Sequence, residues 1–257
     1  MIKICDNDFI ITDYINTLSF KNPFGCRIKA LYNTYDYSLS FVDFWVQIID
    51  ETAVSLIVRM ESTFILRLTE NSDMEEISAF MRVSGASNII CDGKYELECA
   101  MNKTIGPVFV SDEEMEVDCN KKVFSPHIKD VYNLINKCAG ENFYVPKYES
   151  FTLDVAHKLQ KNTMRIYGIG GDSLICCIMT LAETDNSAVL GALATDPDHR
   201  RRGNGAFLIK YINNVLVKEG KSVFLHRAPN ENIEFYNKLG FKQYGIWAEY
   251  KESDSNG

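Results

Sequence analysis

The stretch SAVLGALATDPDHRRRGNGAFL, residues 187–208, decides how this chain is read. Its first nine residues are small or apolar, as in a buried strand. Its last residues open a run in which Phe207, Leu208, Tyr211, Ile212, Val215 and Leu216 share one stripe. That is the pattern of an amphipathic helix over about 205–219, closed by Lys218 and Gly220. Between strand and helix lie three consecutive arginines and two glycines one residue apart. A helix N-terminus presents unpaired N–H groups and a partial positive charge. Glycines let the backbone bend so that several N–H groups converge on one anion. Strand, R-x-x-G-x-G, helix is therefore the construction expected of a pyrophosphate seat, with Arg200 adding charge. Leu208 stands where a dinucleotide fingerprint needs its third glycine, and no G-K-[ST] follows, so neither of those motifs is present.

Working outward, TMRIYGIG, DSLICCIMTLAE and NSAVLGALAT read as three strands joined by turns at Gly170-Gly171-Asp172 and Thr184-Asp185-Asn186. The middle strand is apolar on both faces and is expected to be central. Upstream, Ser125-Pro126 reads as the N-cap and first position of a helix carrying Ile128, Val131, Leu134, Ile135 and Cys138, with Gly140 as its stop. A second helix covers about 149–161. Downstream, SVFLHRA is a strand, NIEFYNKLG a short helix ended by Gly240, and FKQYGIWAEY one or two strands. The polar stretch SDEEMEVDCNKK, 111–122, is the expected domain boundary, although EMEVD alternates as a strand would.

In the first half, DFWVQIID, TAVSLIVRM and TFILRLTE read as strands. DMEEISAFMRVSG reads as a helix capped by Ser72 or Asp73, and NIICDG as another strand. Three strands, a helix and a strand thus occur twice, and in the first copy ENSD replaces the arginine–glycine turn. The order suggests an internal duplication in which one copy lost its loop; an unrelated α/β half is the alternative. The expected organisation is 1–112 as an N-terminal α/β domain, 113–252 as a second domain, and 253–257 as a frayed tail. The fold class is α/β (α+β), with mixed, mostly antiparallel sheet flanked by helices.

A net charge of −8 opposes general affinity for nucleic acid or anionic membrane, so Arg200–Arg202 are not read as a DNA patch. The start MIKICDNDFI has no basic stretch followed by an apolar core, and no apolar run is long enough to cross a bilayer. The eight cysteines form no C-x-x-C pair and no zinc-like spacing with histidine. Cytoplasmic location, reduced thiols and no metal are expected. GIGGD, 168–172, is a hairpin turn rather than a nucleotide loop. The aromatics of YNTYDYSLSF, 32–41, read as a packed surface, and the acidic run DEEMEVD as solvated.

Residues 187–208 resemble the acetyl-CoA-binding motif of the GNAT acyltransferase superfamily: an apolar strand, x-P-x-x-[QR]-x-x-G-x-[GA], then a helix. Pro197, Arg200, Gly203 and Gly205 fill its positions. NIEFYNKLGF resembles the second motif of that family through Tyr236, Lys238, Gly240 and Phe241. The resemblance covers roughly 115–250 and implies a GNAT-like fold, with the first half a degenerate copy. It implies that the backbone of Leu193, Ala194 and Thr195 pairs with the pantetheine arm of acetyl-CoA. The small residues Gly191, Ala192 and Ala194 fit close approach of that ligand. It implies that the N–H groups of Arg201, Arg202, Gly203, Asn204, Gly205 and Ala206 hold the pyrophosphate beside Arg200, and that Tyr236 protonates the departing thiolate.

The pattern is not complete. Where the family often has an asparagine, this chain has Pro229, and Asn230 or Asn232 must serve instead. Asn204 replaces a usual aliphatic residue. No glutamate lies inside the strand before the loop. Glu183, His226 and Glu249 are the nearest candidates for a base, but they read more simply as two solvated strand ends and a hydrogen-bonded strand histidine. The resemblance implies acetyl transfer to a primary amine, of a small molecule or peptide, by direct attack in a ternary complex. The rivals are a non-catalytic CoA-binding sensor or scaffold and a transferase of another acyl group. The oligomeric state is open.

Overall fold

A computed structural model describes residues 1–5, 9–18, 21–35, 39–117, 121–140, 145–171, 173–228 and 233–252; for 9–11 and 233 only the backbone is described. Two compact units are present. The first comprises Met1–Val108, His226–Glu231 and Gln243–Gly257; the second comprises Phe109–Leu225 and Asn232–Lys242. The change near residue 108 lies close to the expected boundary at 112. The end of the chain differs from the expectation, because Gln243–Gly257 groups with the first unit.

The first unit starts with β1 (Ile2–Ile4), α1 (Phe9–Leu18) and α2 (Pro23–Thr34). It continues through β2 (Val42–Ile49), β3 (Thr52–Met60), β4 (Thr63–Arg67), α3 (Met74–Val83) and β5 (Asn88–Asp92). Strands β1 to β4 pair antiparallel in sequence order, and β4 pairs parallel with β5. The alternation along β3 divides the core. Leu56 and Val58 face a cluster with Phe24, Ile28, Leu31 and Phe44, whereas Ile57 faces Phe64, Leu66, Ile77 and Met81 of the opposite layer. Helix α2 begins where Asn22 Oδ1 accepts from the N–H groups of Phe24 and Gly25, with Pro23 in the first turn. Aromatic packing at Tyr32–Phe44 and Tyr35–Phe41 gives the 32–41 stretch its surface, apart from residues 36–38, which lie outside the described ones.

The second unit repeats the order. It has β7 (Val123–Phe124), α4 (Ile128–Lys137), α5 (Tyr148–Gln160), β8 (Ile166–Gly170), β9 (Leu174–Glu183), β10 (Ser187–Thr195), α6 (Asn204–Lys218), β11 (Ser222–His226) and α7 (Ile233–Leu239). Strands β7 to β10 again pair antiparallel in order, and β10 pairs parallel with β11. β9 is central and almost wholly buried, as its sequence requires. Two further strands connect the halves in sequence: β6 (Asn102–Ser111) runs from the first unit into the second, and β12 (Lys242–Lys251) pairs antiparallel with β5. That pairing places the end of the chain in the first unit.

Three local expectations are corrected. Helix α4 starts two residues late: His127 is its N-cap, without a side-chain bond, because the chain is still extended as it leaves β7. The EMEVD stretch forms no strand over its described residues. Instead Met115 packs into the core, its N–H donates to Asn214 Oδ1, and its carbonyl accepts from Asn214 Nδ2. Asn213 Nδ2 donates to Glu113 O. The acidic segment is thus strapped along α6 through its backbone and Met115, while the side chains of Asp112, Glu113, Glu114 and Glu116 stay exposed. The strap also turns the buried stripe of α6, which includes Ile209 and Asn213, while Tyr211 is 36% exposed.

Candidate active site

The site begins with a defect in β10. Its parallel register with β11 runs from Ser187↔Ser222 to Leu190↔Leu225 and then stops. Its register with β9 shifts between Val189 and Leu190 and again between Gly191 and Ala194, and Ala192 has φ 51°. An extra residue in one strand bends and twists it away from its partner. Past Leu190, β10 still pairs with β9, through Ala194↔Cys177 and Thr195↔Cys176, but no described strand pairs with residues 191–195 on the other side. That edge of β10 is therefore open to a further strand-like partner at Leu193 and Ala194, while Thr195 O already accepts from Arg200 Nε and Cys138 Sγ.

Two small residues there have structural causes. A Cβ on Gly191 would come within 2.3 Å of Leu181 Cδ1, so its smallness serves internal packing. Ala194 is buried in the cluster with Val131 and Leu134. Gly191 and Ala194 therefore have packing reasons for their size, whether or not a ligand approaches them.

The loop that follows is tightly bent. Residues Pro197–His199 form a 3₁₀ turn in which Asp196 accepts from the N–H of Asp198. Lys137 pairs with Asp196 at 2.8 Å. Arg200 is extended, and its Nε donates to Thr195 O at 3.2 Å, tying the loop to the end of β10. Arg201 has φ 56° and Gly203 φ 72°, and α6 starts at Asn204 with no side-chain cap. Among the described residues, no hydrogen bond engages the N–H groups of 201–206. The arginines are exposed and the first turn of α6 carries no acid. A Cβ on Gly205 would point at Leu193 Cδ2 (3.5 Å) and Thr195 Oγ1 (3.7 Å), the space between helix start and open strand edge. Asn204 does more than supply its backbone: its Nδ2 donates to His199 O and its Oδ1 accepts from Lys121 Nζ.

The corresponding turn of the first unit is closed. Ser72 Oγ accepts from Thr69 N, Thr69 Oγ1 from Asn71 N, Thr69 O from Ser72 N, and Gln47 Oε1 from Asp73 N. Asp73 caps α3 by accepting from Glu76 N, which selects it over Ser72. Glu75 and Glu76 stand in the first turn. The N–H groups of Thr69, Asn71, Ser72, Asp73 and Glu76 thus have partners within the turn or on Gln47, and the first turn of the helix is acidic.

Tyr236 lies on α7, half-buried, with its ring against Phe109 (5.8 Å), Phe235 and Phe241. It packs on the same core cluster as Leu193 and Ala206. Pro229, Asn230 and Asn232 lie outside the described residues. The three candidate bases are not what the sequence implied. Glu183 is buried, not solvated, and accepts from Arg165 and Lys221 in a cluster with Glu219. His226 Nε2 is shut off from solvent and has no hydrogen-bond partner. Burial, helped by Arg27, pushes the imidazole down to about 3. Glu249 is half-buried within β12 opposite Ile90 and pairs with Lys251. Glu183 is consumed by its ion pairs, while His226 and Glu249 group with the first unit. The seven described cysteines are free thiols, and among the described residues no group of His, Cys, Asp and Glu could hold a metal.

A parallel β10–β11 pair that splays at a bulge, with a bent N–H-lined loop leading into α6, decides the architecture. The chain carries the GNAT fold. A family model described as FR47-like protein matches residues 168–251, from β8 to the end of β12. A Drosophila protein known by X-ray crystallography superposes with a TM-score of 0.69 at 10% identity, covering 99% of each chain. A tandem GNAT protein from the clavulanic acid biosynthesis pathway gives 0.57 at 12% identity, over 97% of this chain and 98% of that one. A GNAT-family acetyltransferase from Colwellia psychrerythraea gives 0.56 at 10% identity, over 98% and 100%. No curated protein sequence matches the chain. The two units have the same strand pairing, and the tandem GNAT protein shares the fold along nearly its whole length. Among the described residues no helix is long and apolar enough to cross a membrane.

Proposed function

We propose that the second unit transfers an acetyl group from acetyl-CoA to a primary amine of a small molecule or peptide. The observation that carries this reading is the contrast between the two turns: the N–H groups of 201–206 are unengaged, whereas in the first unit's turn those of Thr69, Asn71, Ser72, Asp73 and Glu76 are used internally and Glu75 and Glu76 make the helix start acidic. The residues present fit the donor. The open edge at Leu193 and Ala194 suits an extended amide-bearing arm, which would reach Thr195 through its N–H, and the loop with Arg200 suits a pyrophosphate. Asn232, which the sequence resemblance assigns to the same ligand, lies outside the described residues.

The bound donor supplies the thioester. The chain holds it, orients it and moves one proton. A neutral amine attacks directly, for the buried cysteines next to the site are poor nucleophiles: burial pushes the Cys177 thiol up to about 12 and raises that of Cys176. The C–N bond forms as the C–S bond breaks, Tyr236 gives its phenolic proton to the departing sulfur, and the proton shed by the attacking nitrogen passes through water and restores the phenol. A phenol keeps its proton near neutral pH and needs no perturbed pKa for this task.

The test is calorimetry with CoA on the wild-type protein and on Gly205→Val. A Cβ is accommodated at Gly205 by ordinary contacts, so the variant folds, but its methyl groups fill the gap facing Leu193 and Thr195. Each hydrogen bond to an ionised group contributes about 1.5–3 kcal/mol, so losing two weakens binding at least about a hundredfold. Unchanged CoA affinity in folded Gly205→Val would overturn the seat. Release of free thiol from acetyl-CoA across a panel of amines then identifies the acceptor class.

A further inference from the structure

Lys121 belongs to the polar stretch that the sequence presents as a boundary, yet it reaches the start of α6. Its Nζ donates to Asn204 Oδ1 at 2.6 Å, and the ammonium lies 5.7 Å from the centroid of the Phe207 ring. Asn204 is the first residue of the helix and is anchored in turn, through Nδ2, to His199 O at 3.0 Å. The side chain is half-buried, and among the described residues no carboxylate comes within ion-pair distance of it. An ammonium has three donor hydrogens. Asn204 takes one, and the aromatic face offers the charge a weak partner. With a neutral anchor and no described counter-ion, the half-buried ammonium keeps donor hydrogens available for an anion beside the loop.

We infer that Lys121 is a pyrophosphate-binding residue of the acyl-donor site, positioned by Asn204. The inference rests on the reading of 201–206 as the phosphate seat. It explains why a carboxamide occupies a helix position where the family usually has an aliphatic residue: the Asn204 side chain links the cation to the bent loop. The pyrophosphate is chosen over the 3′-phosphate because the anchor is the first residue of α6, flanked by the unengaged N–H groups of Gly203 and Gly205.

The experiment is calorimetry with CoA, dephospho-CoA and pantetheine on the wild type, Lys121→Met, Lys121→Arg and Asn204→Leu, each checked by a thermal melt. Lys121→Met is expected to weaken CoA and dephospho-CoA equally, by about tenfold or more, and to leave pantetheine unaffected. The fall of affinity with added salt should become shallower, which loss of packing would not produce. Lys121→Arg should restore most of the affinity. Asn204→Leu should weaken CoA less, and add little in combination with Lys121→Met. Equal affinity of wild type and Lys121→Met for CoA would overturn the inference and leave the phosphate seat standing. A loss confined to CoA and absent for dephospho-CoA would overturn the pyrophosphate assignment. Failure of the wild type itself to bind CoA would remove the seat and this inference together. Should Lys121→Met unfold, Lys121→Gln serves in its place.

Discussion

At the scale of single residues, the two with the sharpest expected behaviour are Tyr236 and His226. Tyr236→Phe removes one hydroxyl and keeps the ring contacts with Phe109, Phe235 and Phe241. Loss of a positioned acid slows a reaction by roughly 10²–10⁴-fold, so turnover should fall at least about tenfold while CoA affinity hardly changes. Steady-state kinetics with near-wild-type turnover in the folded variant would take Tyr236 out of the mechanism. His226 is a different case. It is held neutral, at about 3, by burial and by Arg27, whereas an unfolded histidine titrates near 6.5. Below that value the unfolded chain binds a proton that the folded chain refuses. Stability should therefore fall as pH drops from about 6.5 toward 3, by up to about 1.4 kcal/mol per pH unit from this group. In His226→Phe this contribution should vanish, and urea titrations at pH 7 and pH 5 should show a smaller difference than in the wild type. The sequence located both residues on the right elements. It could not show that His226 lacks a partner, because the groups that desolvate it come from positions far away in the chain.

At the scale of elements, the sequence was most legible where one segment carries its own reasons. β10, the loop and α6 were readable together: the apolar run, Gly203 in the left-handed region and the amphipathic repeat are local facts. The bulge in β10 was not readable, because it is defined by register with β9 and β11. The acidic strap was misread for the same reason. Its charge pattern is that of a solvated segment, yet Glu113 O and both backbone groups of Met115 are satisfied by Asn213 and Asn214. An asparagine inside a helix stripe was the available signal: one side-chain amide can pair with a backbone N–H and C=O as a neighbouring strand would. Asn214→Ala should remove two such bonds and cost about 1–3 kcal/mol. Chemical denaturation with an unchanged midpoint would show that the strap is held by Met115 alone.

At the scale of the whole molecule, the duplicated order of elements is matched by duplicated pairing, β1 to β5 repeating β7 to β11 with the same single parallel step. Both units share the strand pairing, and only the second has the unengaged loop N–H groups proposed as an anion seat. What separates them is local. In the first unit Thr69, Ser72 and Gln47 engage the backbone donors of the turn, Asp73 caps α3, and Glu75 and Glu76 follow. In the second, three arginines precede a helix start with no cap and no acid. A phosphate entering the first turn would have to break those bonds and approach carboxylates, losing on both counts. Calorimetric titration should therefore give one CoA per chain. The count alone does not say which unit binds, but Gly205→Val does: with the second seat filled by a side chain, the stoichiometry should fall from one to zero. A wild-type stoichiometry of two, or one remaining site in folded Gly205→Val, would place a CoA site in the first unit. The closed turn at residues 69–73 would then have to open on binding.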